Sequence, residues 1–143
     1  VFSSHGNNFL NTMVSLFNKR RDVDVVDDQI GCPTPANSIA KMLLQVSQKI
    51  MDGKDRWGVY HYCGRPEISW YDFAKRIFCG ARKKDIIVPN LRKISTAEYE
   101  KHVDRPLRVV MDCSAIKSSW GVEQPDWRAA VDEYIELKLS EGD

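Results

Sequence analysis

The sequence has no Cys-x-x-Cys pair and no cysteine/histidine cluster; its four cysteines, Cys32, Cys63, Cys79 and Cys113, stand far apart along the chain. That spacing excludes the usual closed zinc sites and predicts reduced thiols in a cytoplasmic protein. No stretch approaches the roughly 20 apolar residues of a membrane span and no charged-then-apolar leader opens the chain, so a soluble protein is expected. Neither sign of charge dominates, with 21 basic residues against 20 acidic ones and a net charge of +1. No nucleic-acid-binding face or acidic tail is indicated, and small-molecule or protein partners are the better expectation. Repeats and low-complexity segments are missing. So is any Gly-x-Gly-x-x-Gly or Gly-x-x-Gly-x-x-Gly run of the kind that delivers a pyrophosphate to a helix N-terminus. His5, His61 and His102 are scattered, a pattern that suits structural or solvated roles.

What is present is 143 residues, enough for one domain with a real core. The chain opens with "VFSS" rather than methionine, and reads as a piece cut from something longer. In "NNFLNTMVSLFNKRR", Phe9, Met13, Leu16 and Phe17 fall at helical spacing, and the basic cluster Lys19, Arg20, Arg21 suits a helix C-terminus. "VDVV" (23–26) reads as a buried strand. Thr34 before Pro35 predicts an N-cap with proline at the first helical position, and Ile39, Leu43, Val46 and Ile50 form an apolar stripe up to Gly53. "GVYHYCG" (58–64) reads as a strand, and "SWYDFAKRIFCG" as a helix capped through Ser69 and Asp72 and stopped by Gly80. "DIIVPN" is a second short strand or extended piece ended by Pro89, and "STAEYEKH" a short helix with a capping box from Ser95 to Glu98. "RVVMDCS" is extended, "SAIKSSWG" is a helical turn or two closed by Gly121, and "DWRAAVDEYIELKL" is an amphipathic helix capped by Asp126. Helices alternating with short apolar strands predict an α/β layer of parallel type, followed by an irregular, helix-rich remainder.

The stretch "VVDDQIGCPT" invites a catalytic reading because Asp27 and Asp28 adjoin. On an extended run their side chains point to opposite faces, which rules out a carboxylate dyad sharing one proton and leaves one of them to orient the turn. Gly31 allows close backbone approach and Pro33 fixes the entry to the next helix. Tyr-x-x-x-Lys occurs twice, at Tyr71/Lys75 and Tyr134/Lys138. A lysine beside a tyrosine can lower the phenol's pKa for proton transfer, but such pairs on a helix surface are commonplace, and neither follows a cofactor loop.

The segments "VFSSHGNNF", "VVDDQIGCPT", "GVYHYCG", "SWYDFAKRIF", "RPLRVVMDCSAI" and "PDWRAAVDEY", in this order, resemble the C-terminal half of dTDP-4-dehydrorhamnose reductases. These belong to the extended short-chain dehydrogenase/reductase superfamily and reduce the C4 keto group of dTDP-4-dehydro-L-rhamnose with NADPH or NADH. The resemblance implies the C-terminal part of a Rossmann-type NAD(P)-binding fold plus a small α/β substrate-binding cap. Residues 1–65 would complete the Rossmann-type layer with part of the substrate wall, and 66–143 would form mainly the cap. It places the phosphate loop, the catalytic threonine and the Tyr-x-x-x-Lys pair upstream of Val1, so no catalytic residue is expected in this chain.

The resemblance further implies that the Val1 backbone passes the nicotinamide carboxamide. Asn8 and Phe9 would lie near the nucleotide, Asn8 offering a donor and an acceptor and Phe9 packing on thymine. Gln29, Gly31 and Thr34 would belong to the wall near the sugar nucleotide, and Trp70, which opens the helix of "SWYDFAKRIFCG", would be a further substrate-binding residue. Arg105 would hold the diphosphate, since a guanidinium supplies two charge-assisted bonds. Arg108 is an added basic group and Val109 replaces a family serine. The position matching a reported Mg2+-binding glutamate is Asn37, so no metal is carried over. The implied partners are a dTDP-sugar, the missing N-terminal half and a second copy in a homodimer, with the truncated sheet edge needing cover. Two alternatives keep the fold: a related nucleotide-sugar epimerase or dehydratase, and a sugar-nucleotide-binding relative without turnover.

Overall fold

The computed structural model describes residues 1–99 and 105–140, the side chain of Leu139 excepted. In chain order the elements are α1 (Phe9–Ser15), β1 (Asp22–Val26), β2 (Ile30–Gly31), α2 (Ala36–Met51), β3 (Ile68–Ser69), α3 (Trp70–Arg82), β4 (Asn90–Ile94), α4 (Ser114–Trp120) and α5 (Trp127–Ser140). The β-branched run at 23–26 forms β1, which pairs in parallel with β4 from Asp22↔Asn90 to Val26↔Ile94. Its burial is lighter than the composition suggests, since Val25 alone is fully buried. β2 and β3 form a two-residue antiparallel pair, and Ile30 also bridges Arg108.

α3 organises the main core. Phe73, Ala74, Ile77, Phe78 and Ala81 are buried along it, against Leu10 and Met13 of α1 and Trp127, Val131 and Ile135 of α5. Each large apolar side chain removed from water in this way contributes roughly 1.5–3 kcal/mol. Phe2 packs edge-on to Phe73 and Tyr134, with ring centroids 5.4 and 5.6 Å apart. A second cluster joins Cys63, Cys113, Ile116, Trp120 and Val122 to the inner face of α2. The outer face of α2 is not covered among the described residues: Leu44 and Met51 are 72% and 74% exposed.

Several local expectations are corrected. The helix after Pro35 is capped by Pro35 itself, not by Thr34, and begins at Ala36. The reason is a backbone bridge: Phe2 N–H donates to Thr34 O and Ala36 N–H to Phe2 O, which holds Thr34 and Pro35 extended. α1 ends at Ser15, before the basic cluster, because Asn18 turns the chain at φ +60° toward β1. Gly80 does not stop α3. It lies inside the helix, where an added Cβ would meet Ile135 Cδ1 at 2.7 Å, so its bareness lets α5 approach.

The strand near Pro89 lies after it, at Asn90–Ile94. Residues before it fold back over the end of α3, Ile86 N–H donating to Ala81 O, and the ladder starts where Asn90 N–H reaches Arg21 O. Residues 58–64 are not a strand among the described residues, because no neighbouring backbone ladder pairs with them. The Ser95/Glu98 capping box does form, with Ser95 N–H and hydroxyl both 2.7 Å from Glu98 Oε2. It closes a turn at 96–98, with Tyr99 N–H donating to Ser95 O, and the expected short helix from residue 100 on, including His102, lies outside the described residues. The caps expected for α3, α4 and α5 form: Ser69 accepts Asp72 N–H, Gly121 closes α4 at φ +63°, and Asp126 accepts Arg128 N–H. No helix among the described residues is long and apolar enough to cross a membrane.

Candidate functional site

A cleft of about 370 Å³ opens where β2, β3, the start of α3 and the strap 105–111 meet. Ile30 is its structural centre. It pairs with Ser69 on one side and on the other exchanges backbone bonds with the strap, Ile30 N–H to Leu107 O at 2.7 Å and Val109 N–H to Ile30 O at 2.9 Å. The strap is further held by Arg108, whose guanidinium reaches both Glu67 oxygens at 2.6 and 2.8 Å.

Six of the eight residues singled out from sequence line this cleft: Val1, Phe9, Gln29, Gly31, Trp70 and Arg105. Phe9 and Trp70 meet with ring centroids 4.6 Å apart and continue into Phe73, so one wall is aromatic. Such a wall suits the flat face of a ring, and Arg105, which also lines the cleft, carries a guanidinium that suits an anion. The other two residues are placed differently. The Asn8 side chain caps α1 by accepting Asn11 N–H and donates to Ser3 O and His5 O, so its amide is engaged in its own loop. Thr34 is buried beneath the wall, its hydroxyl donating to Cys32 O and accepting Gly64 N–H, both at 3.0 Å.

The paired aspartates diverge. Asp27 accepts from Ser69 Oγ at 2.8 Å and from Lys93 at 2.7 Å, while Asp28 accepts from the Thr96 backbone and hydroxyl. The Lys93 hydrogen bond, then the one from Ser69, holds the Asp27 carboxyl below its usual range. Asp27 thereby ties the end of β1 to the cap of α3, immediately before Trp70. Of the two Tyr-x-x-x-Lys tyrosines, Tyr71 packs its ring under Lys93 and Tyr134 is a core residue whose phenol is pushed up by burial. That direction is opposite to what a proton-donating tyrosine needs at neutral pH.

Other residues of the site carried no sequence signal. Ile68 and Met111 are of this kind and line the cleft beside Cys32, Ser69 and Val109, whose segments the sequence did mark; burial pushes the Cys32 thiol up to about 12, which keeps it protonated. Cys63 and Cys113 meet with sulfurs 3.7 Å apart although they stand 50 positions apart in the sequence. Among the described residues no three His, Cys, Asp or Glu side chains converge to hold a metal ion.

An α/β unit whose cleft brings together aromatic rings, a nearly buried glutamine amide and an arginine has the features of a small-molecule-binding domain. The family model described as RmlD substrate binding domain matches residues 1–139, and the chain belongs to that family. Among curated relatives, the dTDP-4-dehydrorhamnose reductase of Aggregatibacter actinomycetemcomitans is 39% identical over 134 residues, covering 92% of this chain and 46% of the relative. The crystal structure of a dTDP-4-dehydrorhamnose reductase from Clostridium acetobutylicum superposes with a TM-score of 0.81 at 29% identity, over 94% of this chain and 45% of that one. The reductase of Bacillus anthracis, solved in complex with NADP, gives 0.80 at 28% identity, over 95% and 45%. The chain spans about half the length of the relatives it matches. The fold is therefore α/β and matches part of these reductases.

Proposed function

We propose that the chain is the C-terminal, substrate-holding part of a cytoplasmic dTDP-4-dehydrorhamnose reductase, which reduces the C4 keto group of dTDP-4-dehydro-L-rhamnose to give dTDP-L-rhamnose. The observation that carries this reading is the likeness along nearly the whole chain to reductases of that name. Residues 1–65 complete the Rossmann-type layer and part of the substrate wall, and 66–143 form mainly the cap. The partners are the dTDP-sugar, the remainder of the reductase and, in a homodimer, a second copy.

In this assignment Phe9 and Trp70 pack against the flat thymine, Arg105 neutralises the diphosphate, and Gln29 and the backbone at Gly31 border the sugar. Asn8 and Thr34 act one step back, Asn8 by holding the loop before Phe9 and Thr34 by joining the wall to Gly64. A nicotinamide cofactor, NADPH by analogy with the NADP complex of the Bacillus anthracis reductase, supplies the hydride when bound. In this chain the group that fits it is the Val1 backbone at the mouth of the cleft, where no side-chain chemistry is required. Binding of the cofactor's pyrophosphate and proton donation to the C4 oxygen fall to residues outside positions 1–143. The apolar walls exclude water around the sugar, so that the ketone meets hydride and proton donors rather than solvent.

The test is to supply the full-length protein with dTDP-4-dehydrorhamnose and NADPH. Loss of NADPH absorbance with formation of dTDP-L-rhamnose is the expected result. Epimerised or dehydrated product with no net NADPH consumption would assign the protein to a different chemistry on the same fold.

A further inference from the structure

We infer that Gln29 presents its side-chain carbonyl oxygen, not its amide nitrogen, to the ligand, and that Asp28 and Thr96 are the positioning residues that set this polarity. The identity of the ligand rests on the function proposed above; the orientation of the amide follows from the hydrogen bonds alone. Asp28 is a carboxylate and accepts only. Its Oδ1 lies 2.6 Å from the Thr96 hydroxyl, and both of its oxygens lie 2.9 Å from Thr96 N–H. The hydroxyl therefore gives its single proton to Asp28 and turns a lone pair away from it. Gln29 Nε2 is 3.0 Å from that oxygen and donates to it. A flipped amide would set two acceptors against each other, so the chain of bonds admits one orientation.

That orientation leaves Oε1 with no donor among the described residues, while Nε2 spends one of its two N–H groups on Thr96. Gln29 is only 6% exposed and lines the cleft, and its carbonyl on the main chain is already taken by Trp70 N–H at 3.2 Å. A nearly buried, pre-oriented acceptor on the floor of a binding site selects a donor. A site built to bond a ligand's O–H or N–H rejects an analogue lacking it, because the protein group is then left unpaired. For a dTDP-sugar the matching groups are a hydroxyl of the hexose or deoxyribose and the imide N–H of thymine; phosphate oxygens and the keto oxygen are excluded from this point. Thr96 is 67 positions from Gln29, and the turn that carries it is closed by the Ser95/Glu98 box. That box thereby gains a role in the site.

The test uses the full-length protein and dTDP-L-rhamnose, with affinity by calorimetry and folding by thermal melting. Gln29→Leu is expected to weaken binding about fivefold to tenfold, the range for loss of one neutral hydrogen bond with its partner left unpaired. Thr96→Val, which frees the amide to turn, is expected to weaken it about threefold. Thr96→Ser, which keeps the hydroxyl, restores wild-type affinity, and Thr96→Val adds nothing in a Gln29→Leu background. Wild-type affinity in Gln29→Leu or Thr96→Val, or additive losses in the double variant, overturns the assignment. A measurement that needs no variant is the NMR response of Gln29. Its side-chain carbonyl carbon should shift on ligand addition while its amide nitrogen stays in place, and the reverse overturns the assignment. A wild-type protein that binds no dTDP-L-rhamnose overturns the proposed function as well, so the two failures are distinguishable.

Discussion

At Asp27 the sequence poses a catalytic question and the structure answers it with a structural bond. Its carboxyl is held low by Lys93 and Ser69, and a carboxyl depressed in the folded state contributes stability that is present above its unfolded value, about 3.9, and lost as pH falls through the folded value. Stability should therefore be insensitive to this group through neutral pH and decline below about pH 4. Asp27→Asn should show a shallower acid limb in urea unfolding measured across pH, while a limb identical to wild type would count against the assignment. Gly64 carries a sharper prediction. A Cβ there would collide with the Pro33 carbonyl oxygen, which belongs to backbone and has no easy retreat, and the Gly64 N–H bond to Thr34 would part as well. Gly64→Ala is expected to cost about 3 kcal/mol in the same assay.

Among the elements, α3 belongs to both the core and the cleft, and its successive turns separate the roles. Ile77 is fully buried away from the cleft, whereas Phe73 is buried and also lines it beside Trp70. Ile77→Ala should lower stability by about 3 kcal/mol and leave the affinity for dTDP-L-rhamnose unchanged; Phe73→Ala should lower both, with about 4 kcal/mol lost in folding. α3 was also among the most legible elements, because Ser69 and Asp72 are a local cap signal and the apolar period of 70–81 is strong. β1, α4 with Gly121 and α5 with Asp126 were legible for the same reason. What failed depended on partners remote in sequence. Gly80 resembles a stop until α5 is placed against it, the helix after Pro35 starts where Phe2 pins the chain, and 58–64 has strand composition without a ladder. The site divides likewise. Phe9, Gln29, Gly31, Trp70 and Arg105 were singled out through ordered motifs, while the bond from Gln29 to Thr96 joins segments that no local pattern connects.

On the scale of the molecule, the chain carries a cleft but no glycine-rich turn for a pyrophosphate, and it leaves an apolar face open. Leu43, Leu44 and Met51 on α2 and Trp57 and Val59 beyond it are exposed, an arrangement that a soluble surface of this size rarely tolerates uncovered. The relatives are about twice as long, which gives that face a natural cover in a longer protein. Two outcomes follow for residues 1–143 produced alone. If the proposed function holds, with the chain binding the dTDP-sugar and hydride delivery and protonation assigned to residues outside 1–143, the chain alone should consume no NADPH with dTDP-4-dehydrorhamnose; measurable turnover would refute that division of labour. It should also self-associate in sedimentation velocity and bind an apolar dye, and Leu44→Glu with Met51→Glu should suppress both. A monodisperse, dye-silent wild-type chain would mean that the α2 face is stable in water as it stands. Covering it would then contribute nothing to holding this domain to the rest of a longer protein.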